Sequence, residues 1–187
     1  MAAKSEEQIK MELQHLSEEI PMLREMAQGQ GMSFSSLDPK ELEKKVRTAT
    51  TKTPFIYSQA WNSTVQIGNP ATYHVWVRNP DPVAYHPVYA TIYFGLGNIL
   101  TLGEGWIGRD KRWPEFSSDR TFMGPFSSHR LTFGFHVPEV PLGTYNGNTV
   151  VWRGMWHDTG TSLDRGGFDI KVLPAVPMSS PTPMSSE

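Results

Sequence analysis

Residues 71–79 read ATYHVWVRN, with Tyr73, Val75 and Val77 on one side of an extended chain and Thr72, His74, Trp76 and Arg78 on the other. Successive side chains of a strand point to opposite faces, so this alternation predicts a half-buried antiparallel strand. The same period of two returns at 88–94, 131–137 and 168–172. Strands are expected near 54–60, 64–67, 71–79, 87–95, 129–137, 147–156 and 168–173. Turn chemistry separates them: Asn69-Pro70, Asn79-Pro80-Asp81-Pro82, the stretch 138–143 and the glycine-bearing stretch 158–167. Short strands with such breaks predict a mainly β chain, an immunoglobulin-like antiparallel β-sandwich. Strand order is not written in the pattern, so a jelly roll stays open. The expected inward set is Tyr73, Val75, Val77, Val88, Ala90, Ile92, Phe94, Leu131, Phe133, Phe135, Val137, Ile170 and Val172.

Upstream of the strands the signals are helical. Ser5 and Gln8 have capping-box spacing, and Ile9, Leu13, Leu16, Ile20, Leu23 and Ala27 recur at steps of four and three. Such a stripe serves either a self-association helix or a helix folded back on its own domain. Pro21 interrupts it, because proline lacks the amide donor and crowds the preceding turn. After a break at 28–36, Asp38 is the expected N-cap of a second helix, with Pro39 at its first position and Glu41 completing a second box. Leu42 and Val46 form its apolar stripe, and Lys44, Lys45 and Arg47 suit its C-terminal dipole. The chain thus divides into an N-terminal helical segment (1–50), a β-sandwich domain (51–174) and a Pro/Ser-rich tail (175–187) expected to be disordered.

Composition excludes several classes. The 187 residues include no cysteine, so disulfides and thiolate metal sites are impossible. Residues 1–50 carry seven Lys/Arg against nine Asp/Glu, and the remainder carries ten of each. The one dense basic cluster, Arg109, Lys111 and Arg112, is interrupted by Asp110, so no nucleic-acid partner is expected. The first sixteen residues are charged and hold no apolar run, and no stretch is long enough to span a bilayer. The expectation is a soluble chain without signal peptide or membrane span, cytoplasmic or part of an assembled particle.

The search for chemistry centres on residues 95–125, a long connection holding Trp106, Trp113 and Phe116 with Arg109, Asp110, Arg112 and Glu115. Long loops on a rigid scaffold commonly carry function. Trp106 and Trp113, flanked by Arg109, Asp110 and Arg112, either stack a flat partner face or plug one end of the sandwich. Trp152 and Trp156 share a strand face with Gly154 between them. They form either a glycan platform or a core residue and an edge cover. The letters of residues 103–108, GEGWIG, match a dinucleotide fingerprint, but no βαβ unit surrounds them. The six histidines form no HExxH or closed zinc set, and the scattered loop aspartates form no calcium loop. With no GxSxG elbow either, neither a catalytic residue, a metal site nor a cofactor is expected.

Val75-Trp76-Val77-Arg78-Asn79, Phe94-Gly95, Gly143-Thr144-Tyr145 and Phe168-Asp169-Ile170 together resemble a bacterial immunoglobulin-like module of the cell-adhesion-related or fibronectin type III kind, over roughly residues 55–173. The resemblance implies a binding or structural module and carries no catalytic residues; residues 95–125 depart from it. The expected function is a non-enzymatic structural or protein–protein interaction module. It would be a subunit of a larger assembly, a homo-oligomer attached through Ile9, Leu13, Leu16, Ile20 and Leu23. The alternative is a carbohydrate-binding module with a glycan partner, using the loop and strand tryptophans.

Overall fold

The computed structural model describes residues 5–48, 53–96, 113–114, 116–154 and 161–176. The chain is mainly β with two N-terminal helices. Helix α1 (Glu6–Gly29) opens on the expected capping box: Gln8 N donates to Ser5 Oγ at 3.2 Å, and Ser5 N to Gln8 Oε1 at 3.1 Å. It runs through Pro21 and ends at Gly29, in the break expected from residue 28. A mid-helix proline costs about 3 kcal/mol, and burial of Leu16, Ile20 and Ala27 on either side offsets it. Helix α2 (Pro39–Arg47) is capped by Asp38, whose Oδ1 accepts from Glu41 N at 2.8 Å.

Ten strands complete the described residues: β1 (Ser33–Ser36), β2 (Phe55–Trp61), β3 (Thr64–Gln66), β4 (Pro70–Asn79), β5 (His86–Leu96), β6 (Phe116–Ser117), β7 (Thr121–Met123), β8 (Ser127–His136), β9 (Gly143–Arg153) and β10 (Thr161–Leu173). They form a four-stranded sheet in the order β1-β2-β4-β8 and a six-stranded sheet in the order β3-β10-β9-β5-β6, with β7 also pairing β5. Pairing is antiparallel except between β3 and β10. All seven expected strands are present.

Several elements differ from the sequence reading, among them β6 and β7, which lie inside the long connection expected at 95–125. Strand β1 lies inside the expected break at 28–36, where Ser33-Phe34-Ser35-Ser36 pairs with β2. Strand β9 starts at Gly143, four residues ahead of its expected start at 147. Strand β10 starts at Thr161, within the stretch read as a turn. Its glycines serve close packing there. A Cβ on Gly166 would stand 2.7 Å from Gln59 Nε2, and one on Gly147 of β9 would meet the Phe168 ring at 2.3 Å.

The two sheets enclose one core that contains every residue of the expected inward set, with Tyr73 stacked on Phe168 at 4.4 Å. Tyr145, at the start of β9, is wholly buried and its hydroxyl donates to Pro141 O at 2.6 Å. A second cluster lies on the outer face of the four-stranded sheet. There Ile9, Leu16, Ile20, Ala27, Leu42 and Val46 of the helices cover Phe55, Tyr57, Ala60 and Trp76. The molecule therefore has three layers, helices on sheet on sheet.

Candidate functional site

At one end of the sandwich the β4–β5 turn is locked from within. Asn79 is fully buried, and its Nδ2 donates to Ala84 O, Met123 O and Gly124 O at 3.1, 3.3 and 2.8 Å. Its Oδ1 accepts from Asp81 N at 3.0 Å. Asp81, itself buried, accepts Val83 N and Ala84 N on Oδ1, and its Oδ2 lies 3.1 Å from His86 Nε2. Phe126 N donates to Asp81 O at 3.0 Å, which ties the β7–β8 turn to the same anchor. Asparagine and aspartate side chains fix turns in this way by standing in for backbone partners.

This rigid frame turns large apolar side chains outward. Val83, Tyr85, Phe122 and Phe126 are 74, 69, 66 and 36% exposed, and Met11 of α1 is 71% exposed beside them. The Tyr85 ring lies against Gly124, Phe122 pairs with Pro87 beside Tyr85 and His86, and Phe126 and Met11 line one cleft. Phe126 also holds a left-handed backbone, φ 46°, which is uncommon for a bulky residue and marks local strain.

The cleft has a volume of about 350 Å³ and is lined by Gln8, Met11, Glu12, His15, Arg78 and Phe126. Its polar floor is an ion pair: Arg78 Nε donates to Glu12 Oε1 at 3.0 Å, with side chains 7% and 3% exposed. Arg78 Nη1 donates to Ser128 Oγ at 3.1 Å. Nearby, Tyr57 Oη donates to Glu19 Oε1 at 2.9 Å, and His15 Nε2 lies 3.5 Å from Glu19 Oε2. Burial pushes the Tyr57 hydroxyl well above the usual phenol range, with the Glu19 carboxylate adding to the shift, so it stays a donor. These bonds join α1 to β2, β4 and β8 and fix the helix's register on the sheet.

The sequence-derived candidates fall elsewhere. Trp113 is wholly buried, stacked on Phe94 at 4.3 Å and edge-on to Tyr145 at 5.1 Å. Its ring plugs the core and offers no surface to a ligand. Trp152 is half-buried on the outer face of the six-stranded sheet, opposite Tyr89, and its Nε1 donates to Thr91 Oγ1 at 2.9 Å. Trp106, Arg109, Asp110, Arg112 and Trp156 lie outside the described residues. The α1 stripe faces its own sheet: Ile9, Leu16 and Ile20 are buried, and Leu13 and Leu23 pack against the same cluster. Of the two readings left open for this stripe, the structure shows the folded-back one.

Met11, Val83, Tyr85, Phe122 and Phe126 were not singled out from sequence. Val83 and Tyr85 did carry a signal, being large apolar residues directly after a Pro-Asp-Pro turn. Among the described residues no three His, Asp or Glu side chains gather where they could hold a metal ion, and no helix is long and apolar enough to cross a membrane.

Neither a protein-family model nor a curated protein matches the chain. Solved structures do. The C-terminal domain of Wzt is 10% identical with a TM-score of 0.52, covering 83% of this chain and 86% of that one. The CARDB domain of the PF1109 protein from Pyrococcus furiosus, in complex with di-metal ions, is 18% identical with a TM-score of 0.41, covering 66% and 93%. Spo0M, a sporulation control protein from Bacillus subtilis, is 12% identical with a TM-score of 0.35, covering 64% and 49%.

Proposed function

We propose that this protein is a non-catalytic interaction module, a homo-oligomeric subunit of a larger assembly, that docks through the apolar end of its sandwich and the adjoining half of α1. The observation that carries this reading is the exposed cluster of Met11, Val83, Tyr85, Phe122 and Phe126, held by buried Asn79 and Asp81. Contiguous exposed apolar surface marks interaction sites, and aromatic and methionine side chains are enriched in them. A rigid presenting frame limits the ordering cost of association. The α1 stripe is covered by its own sheet, so the helix contributes to assembly through Met11 and its neighbours.

The body is read as an immunoglobulin-like sandwich. Its strand order places β2, β4 and β8 on one sheet and β5, β9 and β10 on the other, as strands A, B, E and C, F, G stand in that fold. The Tyr145 bond to the backbone four residues upstream is the corner such domains carry.

Light scattering on the size-separated chain tests the docking surface. The wild type is expected to self-associate, and the double substitution Tyr85→Ser, Phe122→Ser to yield a monomer of unchanged melting temperature. A wild type that stays monomeric at all concentrations refutes homo-oligomerisation through this end.

A glycan-binding reading has one feature in its favour, the indole of Trp152 half-open beside the Thr91 hydroxyl. It expects tryptophan fluorescence to change saturably on titration with oligosaccharides and the response to vanish in Trp152→Ala. A flat titration rules it out.

A further inference from the structure

The chain contains nine methionines and no cysteine, so no thiol competes with its thioethers for an oxidant. Burial sorts the methionines among the described residues. Met32 and Met123 are 7 and 2% exposed, and Met26 packs against the cluster beneath the helices. Met11 and Met22, both on α1, are 71 and 68% exposed. Met22 lies eleven positions beyond Met11, about 16 Å along the helix axis. Of the two, Met11 alone shares a cleft with Phe126 at the apolar end.

We infer that the Met11 thioether is a reversible oxidation site for peroxides, and that its sulfoxide opens the assembly contact made by the apolar end. The sulfur lone pair attacks one oxygen of hydrogen peroxide, and an S–O bond forms as the O–O bond breaks. The departing hydroxide takes the proton of the new sulfur-bound hydroxyl, so the products are one sulfoxide and one water. Sulfur gives up two electrons and the peroxide gains them. A thioether is apolar and pliable, and suits an aromatic docking surface. A sulfoxide is polar and chiral, and disrupts contacts that methionine makes. Enclosed beside Phe126 by a docked copy, its oxygen would lose water without gaining a donor, which weakens association by about tenfold. Assembly in turn would shield the sulfur from peroxide. This inference deepens the docking reading and rests on it.

The test adds limiting hydrogen peroxide to the full chain over a range of protein concentrations, and follows the sulfoxide at each methionine by peptide mass mapping. Met11 and Met22 are expected to oxidise together in dilute protein, both ahead of Met32 and Met123. In concentrated protein Met11 should fall several-fold behind Met22 as docking covers it. Light scattering on the same samples should show the oxidised chain self-associating about tenfold more weakly, with recovery after treatment by the reductases for both sulfoxide epimers. Met11→Leu keeps an apolar side chain without the sulfur, so its assembly should withstand peroxide, while Met22→Leu should respond as the wild type does. Assembly that survives a sulfoxide on Met11, or that is lost equally in Met11→Leu, overturns the inference and leaves the docking reading standing. An untreated chain that is monomeric at all concentrations refutes the docking reading, and the oxidation switch with it.

Discussion

His74 shows how a single side chain on a sheet acquires a role that its sequence neighbours do not announce. It lies on the outer face of the four-stranded sheet, nearly buried, with Nδ1 3.0 Å from Thr132 Oγ1 and its ring 5.8 Å from that of Trp76. Burial, aided by the positive charge of Arg130, lowers its pKa from 6.5 to about 4. The unfolded chain therefore binds this proton more readily than the folded one. The resulting stability is fully present above about pH 6.5 and is lost as pH falls through about 4. Denaturant midpoints measured from pH 7.5 down to pH 4 should fall for the wild type and fall less for His74→Gln. A parallel decline in both chains would remove His74 as the cause. Sequence alternation placed His74 and Trp76 on one face correctly. It could not say that helices cover that face, since the face reads as mixed polar and aromatic and the covering residues lie some fifty positions upstream.

At the scale of elements, α1 is the part whose local pattern was most legible and whose partner was least so. The steps of four and three among Ile9, Leu16, Ile20 and Ala27 identify a stripe, and the structure buries those four residues. A stripe does not state what it faces. Here the answer comes from long-range polar chemistry, Glu12 with Arg78 and Glu19 with Tyr57, pairs 66 and 38 positions apart. Pro21 is held inside the helix because helix propensity is weak against tertiary burial on both sides of it. Leu16 is fully buried, so Leu16→Ala should destabilise the whole chain by about 2–5 kcal/mol. Chemical denaturation should still show one transition, because the helices and the four-stranded sheet share a cluster. Loss of helical circular dichroism ahead of the β signal would instead show α1 to be an independently melting appendage.

Across the whole molecule, the sandwich core was readable because a period of two survives in every long strand, and all the residues placed inward belong to it. The exposed apolar end proposed for docking was not. Its residues come from α1, the β4–β5 turn, β7 and the β7–β8 turn, and only tertiary structure brings Met11 beside Phe126. The third layer raises a question about where the folding unit ends. Treated as separate units, residues 1–50 and 51–174 would each be stable alone. Yet Phe55, Tyr57, Ala60 and Trp76 on the outer sheet face are 3, 1, 0 and 4% exposed with the helices in place. Removing residues 1–50 would open this apolar face to water, and contiguous exposed apolar faces drive association. A chain beginning at Thr51 is therefore expected to bind a hydrophobic dye strongly and to scatter as polydisperse aggregates. Aggregation through this face would persist in the Tyr85→Ser, Phe122→Ser background, which separates it from assembly through the sandwich end. A shortened chain that stays a discrete species with an unchanged melting temperature would make the helices an attachment device, and the division at residue 50 a true domain boundary.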